Sequence, residues 1–495
     1  MKRYIFNNYY ILRHDCKRTF ILSHGDAIAP PEHLPVNTYW QSIIHPVYAM
    51  MLSFFSSPIV VADACDKISK FLQVDVAVVN NFINKLLDAD RPMHTELNGF
   101  ANDFPVNLLI EEDKEAFPRV EYKSEDFLFD EIDFKTRRMF TAPLSLVFMP
   151  NNNCFTKCIY CYADTKTKKE QLSFNEIEKF VHEAKILGIR DFLITGGDIF
   201  MYKNWRLLFK LLKTVGFLSD LASTKKPLSK DEISDFAKFG IRLQVSLDSI
   251  NEKTASKVLN VKIGYVEKMK RSIEIIDNAN IRYQVATVLT NKNDSFEELD
   301  SLHDYLKTLK HLERWEIRIA FKSLYSDSDF DKIKSSRKSI NGIKQWIDTK
   351  KEGFPCEILW SPDDDAKYNK IKDGSENFEG DACSANVNNL VVLPDGNVTI
   401  CEQLYWNPHF IIGNVRNSTL MEIWNSPKAI NLWKCAQDTI QPDSHCSKCK
   451  IFDRCFQASN RCYANIMKAY GMDNYDYPDP RCYWAPKFAS DIMHE

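Results

Sequence analysis

Apolar positions along this chain recur at two spacings, and each stretch keeps to one of them. In the first stretch, Tyr4–Leu12 and Thr19–Leu22 are aromatic and β-branched, separated by Arg13, His14 and Asp15, which predicts a β-hairpin. Helical spacing follows in Val47–Phe55, Val61–Leu72 and Ala77–Leu87. In the last of these, Val78, Val79, Phe82, Ile83, Leu86 and Leu87 share one face. A hairpin followed by a helix–turn–helix outlines a small winged-helix-like module over residues 1–128. A packing domain with no ligand would leave the same pattern.

From 131 to 348 short apolar runs alternate with helical patterns. The expected strands are Leu144–Met149, Asp191–Thr195, Phe217–Ser223, Arg242–Leu247, Tyr283–Leu289 and Trp315–Ala320. Between them lie helical patterns such as Ile177–Ile186, Trp205–Val215, Lys230–Phe239 and Tyr265–Asn278. Six such βα repeats predict an α/β fold, a parallel sheet curved into a partial (β/α)6, TIM-like barrel. Right-handed crossovers would put every strand's C-terminal end on one rim. The last region, 353–495, holds short strands, and Asp395-Gly396 between Leu390–Leu393 and Val398–Ile400 signals a hairpin turn.

Composition narrows the class without naming it. A length of 495 residues fits about three domains. The net charge of −3 offers no electrostatic case for nucleic acid or an anionic membrane. The most apolar stretch, Val47–Ala62, is shorter than the roughly 20 residues of a spanning helix and is broken by Ser53, Ser56, Ser57 and Pro58. Polar residues follow Met1-Lys2-Arg3 where a signal peptide would run apolar. Fourteen cysteines without a secretory signal argue for metal ligation in a cytoplasmic enzyme rather than for disulfides.

Three of those cysteines, Cys154, Cys158 and Cys161, follow the first barrel strand on one loop, with Tyr160 before the last. Three close thiolates cannot complete a tetrahedral protein site alone, but they can hold three irons of a four-iron cube and leave the fourth open. Structural zinc is the other use of clustered cysteines, yet the next cysteine downstream is Cys356. The C-x3-C-x2-C run resembles the signature of the radical S-adenosylmethionine (SAM) superfamily. The resemblance implies a 4Fe-4S cluster on these cysteines whose open iron chelates SAM. It implies a 5′-deoxyadenosyl radical that takes hydrogen from an unactivated C–H bond, the cofactor carrying the hard chemistry.

Further motifs fall at successive strand ends. Gly196-Gly197-Asp198 resembles the family's Gly-Gly-Glu, whose backbone and acid contact the methionyl amine, with an acid one methylene shorter. Ser246 and Asp248 resemble its ribose- and carboxylate-contacting segment, although a polar pair there also suits helix capping. Where the family often has Thr-Asn-Gly, this chain reads Ser223-Thr224-Lys225, with no role assigned. The resemblance thus implies SAM contacts at Tyr160, Gly196, Gly197, Asp198, Ser246 and Asp248. No acid–base or nucleophilic triad stands out.

The last region carries Cys383, Cys401, Cys446, Cys449, Cys455, Cys462 and Cys482 in an order and spacing that resemble the SPASM domain of peptide- and protein-modifying radical SAM enzymes. Six residues separate Cys455 from Cys462, where the family typically has three. The resemblance implies two auxiliary iron–sulfur clusters: an outer one on Cys446, Cys449, Cys455 and Cys482, an inner one on Cys383, Cys401 and Cys462. The inner fourth position is left to Cys435, to Cys356 or to an open iron; a zinc-ribbon-like domain is the other reading of the C-x2-C pair. Cys16 and Cys65 read as small core residues.

Beside these two regions, the first module resembles the recognition element of enzymes that mature ribosomally made peptides, which adds a precursor's leader as an extra strand. His45 to Asp90 resembles its helical part. A DNA-binding winged helix would need a basic recognition helix, and Val76–Asp90 contains Lys85 as its one cation. The expectation is therefore a radical SAM/SPASM maturase that installs a carbon–carbon or carbon–sulfur cross-link in a precursor peptide, with an electron donor such as flavodoxin or ferredoxin. The rivals are an oxidase resembling the anaerobic sulfatase maturases and a non-catalytic iron–sulfur sensor that binds a peptide.

Overall fold

The computed structural model describes residues 2–24, 35–112, 121–217, 221–279, 281–326, 329–361, 383–457 and 461–494. The chain divides into two compact units, Met1–Ala142 and Pro143–Glu495. Among the described residues no helix is long and apolar enough to cross a membrane.

In the first unit the run Tyr4–Leu12 is two strands, not one. Asn7 breaks it: its side chain accepts the Tyr9 N–H at 3.0 Å and donates to the Asn107 carbonyl at 2.8 Å. β1 (Arg3–Phe6) therefore leaves for a sheet with β5 (Ile59–Val60) and β8 (Leu109–Glu111). The hairpin is formed by β2 (Tyr10–His14) and β3 (Thr19–Ser23), extended by β4 (Gln41–Ile44), all antiparallel. A further hairpin, unanticipated, joins β6 (Met93–Leu97) to β7 (Phe100–Phe104). Cys16 is an exposed turn residue with φ 54°, not a core residue, whereas Cys65 is fully buried.

The three helices fall at Pro46–Ser53, Val61–Leu72 and Val76–Leu87. Gln73 ends the second in the left-handed region, and the Asp75 carboxylate accepts the Ala77 N–H to start the third. The third helix buries Val79, Phe82, Ile83 and Leu86, while Val78 is 60% exposed and lies off that face.

In the second unit, β9 (Ser145–Phe148), β10 (Asp191–Ile194), β11 (Leu221–Thr224), β12 (Arg242–Ser246), β13 (Tyr283–Leu289) and β14 (Leu312–Ile319) match the anticipated strands. Of the expected strand Phe217–Ser223, residues 218–220 lie outside the described residues. The intervening helices start where the chain supplies capping boxes, Ser173 with Glu176 and Ser229 with Glu232. Trp205–Val215 ends at Gly216 in the left-handed region.

The strands form two sheets rather than one. β11, β12, β13, β14 and β15 (Glu357–Ser361) lie parallel in that order. The other sheet runs β10, β9, β16 (Asn389–Val392), β17 (Asn397–Thr399) and β18 (Ile411–Asn414). β16 pairs parallel with β9, Asn389 opposite Ser145 and Val392 opposite Phe148, so the cysteine-rich region enters the sheet that carries the cluster loop. Asp395-Gly396 makes the β16–β17 turn, with Gly396 at φ 83°.

Candidate functional site

Cys154, Cys158 and Cys161 lie on the loop that leaves the C-terminal end of β9. The N–H groups of Lys157 and Ile159 donate to the carbonyls of Leu259 and Val258 at 3.0 and 2.9 Å, which fixes the loop on the helix Glu252–Leu259. The Thr156 hydroxyl lies 3.7 Å from the Cys154 Sγ and 3.1 Å from the Cys158 Sγ. Burial pushes the Cys158 thiol up to about 12 against the pull of Lys225.

The loop opens onto a cavity of about 470 Å3. Cys154, Cys158, Tyr160, Cys161, Gly196, Gly197, Asp198 and Ser246 all line it. Asp248 stands behind them, fully buried, and is not part of the lining. The glycine pair is required by the cluster loop itself. A Cβ on Gly197 would meet the Asn153 carbonyl oxygen at 1.9 Å, and one on Gly196, at φ 139°, would meet the Asn151 oxygen at 2.5 Å. The turn then donates into the loop, Gly197 N–H to Asn151 at 3.1 Å and Asp198 N–H to Asn153 at 2.7 Å.

Asp198 is 1% exposed and its carboxylate accepts four hydrogen bonds from the protein. One oxygen accepts the Thr224 hydroxyl at 2.8 Å and the N–H groups of Lys225 and Lys226 at 2.9 and 3.1 Å; the other accepts the Phe200 N–H at 3.0 Å. Asp198 thus ties the end of β10 to the end of β11. From there Lys225 reaches Asp248 at 3.2 Å, and Asp248 also accepts the Tyr160 hydroxyl at 2.5 Å and the Val288 N–H at 2.9 Å. Burial works against the Lys225 ammonium, but Asp248 and Cys158 outweigh it and hold its pKa above the usual value.

Sequence reasoning missed Lys225, although its place after an apolar strand on the shared rim was a signal. It also missed Glu402, which lines the cavity one residue after Cys401. Glu402 takes one long bond, from the Thr195 hydroxyl at 3.4 Å, and burial raises its pKa. The neighbouring cation Arg318 is engaged by Glu316, through two contacts of 2.7 Å.

The other cysteines gather as two groups. Cys446, Cys449, Cys455 and Cys482 line one small cavity with Phe452, Arg461 and Trp484. Cys383 and Cys455 line a second with Arg461 and Tyr463. Burial pushes the Cys401 thiol up to about 12, with the charges of Cys462, Glu402 and Cys383 adding to it. Among the described residues no three His, Cys, Asp or Glu side chains are disposed around a single metal ion. Cys356 precedes β15, at the rim where the parallel strands begin, and its thiol lies 3.7 Å from the Glu357 carbonyl. Cys435 instead lines a cavity of about 430 Å3 with Phe456 and Tyr463.

Residues 148–306 match the Radical SAM superfamily, and residues 383–450 match SPASM, an iron–sulfur cluster-binding domain. The chain is a radical SAM superfamily enzyme with a SPASM domain, and its cofactors are SAM, a 4Fe-4S cluster and auxiliary iron–sulfur clusters. It is 24% identical over 363 residues to the antilisterial bacteriocin subtilosin biosynthesis protein AlbA of Bacillus subtilis, covering 70% of this chain and 72% of that one. It is 31% identical over 164 residues to a GTP 3',8-cyclase of Campylobacter jejuni, spanning 32% of this chain and half of the cyclase. Streptococcus suis SuiB, crystallised with its precursor peptide SuiA, shares the fold, with a TM-score of 0.62 at 13% identity over 97% of this chain and all of SuiB. The SuiB structure bound to SAM gives 0.63 at 14% identity, over 97% of this chain and 99% of SuiB.

Proposed function

We propose that this enzyme matures a ribosomally made precursor peptide by oxidative cross-linking, carbon–carbon or carbon–sulfur. The observation that carries the reading is a single cavity bordered by Cys154, Cys158 and Cys161 on one side and by Glu402, next to Cys401, on another. On this reading Cys154, Cys158 and Cys161 hold the radical SAM cluster, with Tyr160, Gly196, Gly197, Asp198, Ser246 and Asp248 forming or bracing the SAM site. Cys446, Cys449, Cys455 and Cys482 hold the outer auxiliary cluster, and Cys383, Cys401 and Cys462 the inner one. SAM on its cluster supplies the radical that removes a hydrogen atom from the peptide. Cross-linking then requires loss of one proton and one electron. Glu402 takes the proton: of the two lining carboxylates among the described residues it is the less engaged, with one long bond against four on Asp198. The electron leaves on the same side, where Cys401 adjoins Glu402.

Residues 1–128 serve as the leader-recognition module of winged-helix type, 131–348 as the radical SAM partial barrel and 353–495 as the auxiliary-cluster domain. The parallel order of β11–β14 and of β9 with β10 supports the barrel reading. For leader capture, the first unit offers sheet edges at β2 and β4 and at β5 and β8 among the described residues. The relatives' names point the same way, since AlbA is a bacteriocin biosynthesis protein and SuiB is crystallised with a precursor peptide. A flavodoxin or ferredoxin would supply the reducing electron.

The test is anaerobic turnover of the reconstituted protein with dithionite, SAM and a candidate precursor peptide. The expected result is 5′-deoxyadenosine formed in step with loss of two hydrogens from the peptide, inhibited by excess free leader. Deoxyadenosine without any change in peptide mass would point to a different substrate. Clusters without SAM cleavage would leave an iron–sulfur binding protein.

A further inference from the structure

Arg461 is 6% exposed, yet only part of its guanidinium is satisfied. Its Nη2 donates to the Tyr477 carbonyl at 2.5 Å, while Nε and Nη1 are buried with no hydrogen-bond partner among the described residues. The group lies 4.3 Å from the Phe456 ring centroid and 5.9 Å from that of Tyr463. Arginine does not shed its proton in proteins, so the site must supply a counter-charge or carry the cost of a buried, half-bonded cation. The carboxylate that shares its cavity is engaged elsewhere: Asp479 accepts from the Cys462 N–H at 2.8 Å and from Arg481 at 2.8 and 3.1 Å.

Among the described residues, cysteine thiols border both cavities that Arg461 lines, that of Cys446, Cys449, Cys455 and Cys482 and that of Cys383 and Cys455. Arg461 belongs to the six residues between Cys455 and Cys462, the segment longer than the spacing expected for this domain.

We propose that Arg461 is a cation shared by the two auxiliary sites, its Nε–H and Nη1–H available to donate to sulfur of a cluster held by Cys446, Cys449, Cys455 and Cys482. An iron–sulfur cube held by four thiolates carries net negative charge, and reduction adds more. A fixed cation and two N–H donors stabilise the reduced form most, so they raise the outer cluster's reduction potential. The outer cluster is thereby poised to draw an electron onward from the inner site toward the protein surface. The inference rests on both SPASM sites holding iron–sulfur clusters.

The test is an anaerobic redox titration followed by electron paramagnetic resonance on the full-length protein and on Arg461→Gln and Arg461→Lys, with iron and sulfide counted in each. In Arg461→Gln the outer cluster should become at least tenfold harder to reduce, a downward shift of about 59 mV for a one-electron couple. The radical SAM cluster should not move, and Arg461→Lys should fall between the two. Unchanged auxiliary potentials with full iron would overturn the proposal and leave Arg461 as packing for Phe456 and Tyr463. If Arg461→Gln loses the outer cluster while Arg461→Lys keeps it, the need for a cation is supported; equal loss in both sinks it. The iron count of the unsubstituted protein separates the underlying reading from the role of Arg461, because missing auxiliary iron there would remove the clusters themselves.

Discussion

The Tyr160 hydroxyl donates to the Asp248 carboxylate at 2.5 Å across 88 residues of sequence, and the Lys225 ammonium shares the same oxygen at 3.2 Å. The contact links the cluster loop to the ends of β11 and β12. Two residues expected to touch SAM are therefore bonded to each other, and the cation that joins them had been given no role.

Removing the anion from this group should be costly. Asp248→Ala leaves the Lys225 charge, whose side chain is 15% exposed, without its partner, and should lower stability by about 3–5 kcal/mol. Asp248→Asn should cost less, because an amide still accepts from Lys225 or Tyr160. Anaerobic denaturant titration of the two variants checks the order.

Gly197→Ala should expel the cluster loop from its place, because the new methyl group would sit 1.9 Å from the Asn153 oxygen. We expect iron to fall by roughly a third, the radical SAM cluster lost and the auxiliary clusters kept, with SAM cleavage abolished. Iron analysis with electron paramagnetic resonance reads both. Loss of the auxiliary signals instead would show that the whole unit fails to fold.

Asp198→Glu restores the acid usual in this family, yet it should harm this protein. The site is closed, and four bonds are set for the shorter side chain, so one more methylene should cost about 1–3 kcal/mol. SAM affinity should fall with it, as Thr224 and Lys225 shift. Tighter SAM binding measured by equilibrium dialysis would refute this view of Asp198 as a brace.

Glu402→Gln should keep its clusters and still cleave SAM. Peptide cross-linking should drop by about 10²–10⁴-fold, the usual worth of a positioned base. Deoxyadenosine and modified peptide, quantified in the same reaction, should uncouple. A parallel fall in both would place Glu402 in SAM binding instead.

Much of the second unit was legible in the chain because its signals are local. Apolar runs of strand length, the helical spacing of Ile177–Ile186 and Lys230–Phe239, and the Asp395-Gly396 turn each act over a few residues. The first unit was read less well for the same reason. Asn7 breaks an apparently continuous strand through a bond to Asn107, a partner 100 residues away. The exposure of Val78 depends on what lies against its helix, which periodicity does not report.

The candidate site divides along the same line. Thiol chemistry at Cys154, Cys158 and Cys161 is expected from residue type and close spacing, whereas the grouping of Cys446, Cys449 and Cys455 with the distant Cys482 is what the resemblance to the SPASM domain implies. Only the tertiary structure decided that β16 lies beside β9, that Gly197 makes room for Asn153, and that Lys225, Glu402 and Arg461 face the cysteine sites. Those outcomes depend on long-range pairing and on how buried charges find partners, and neither leaves a period in the sequence.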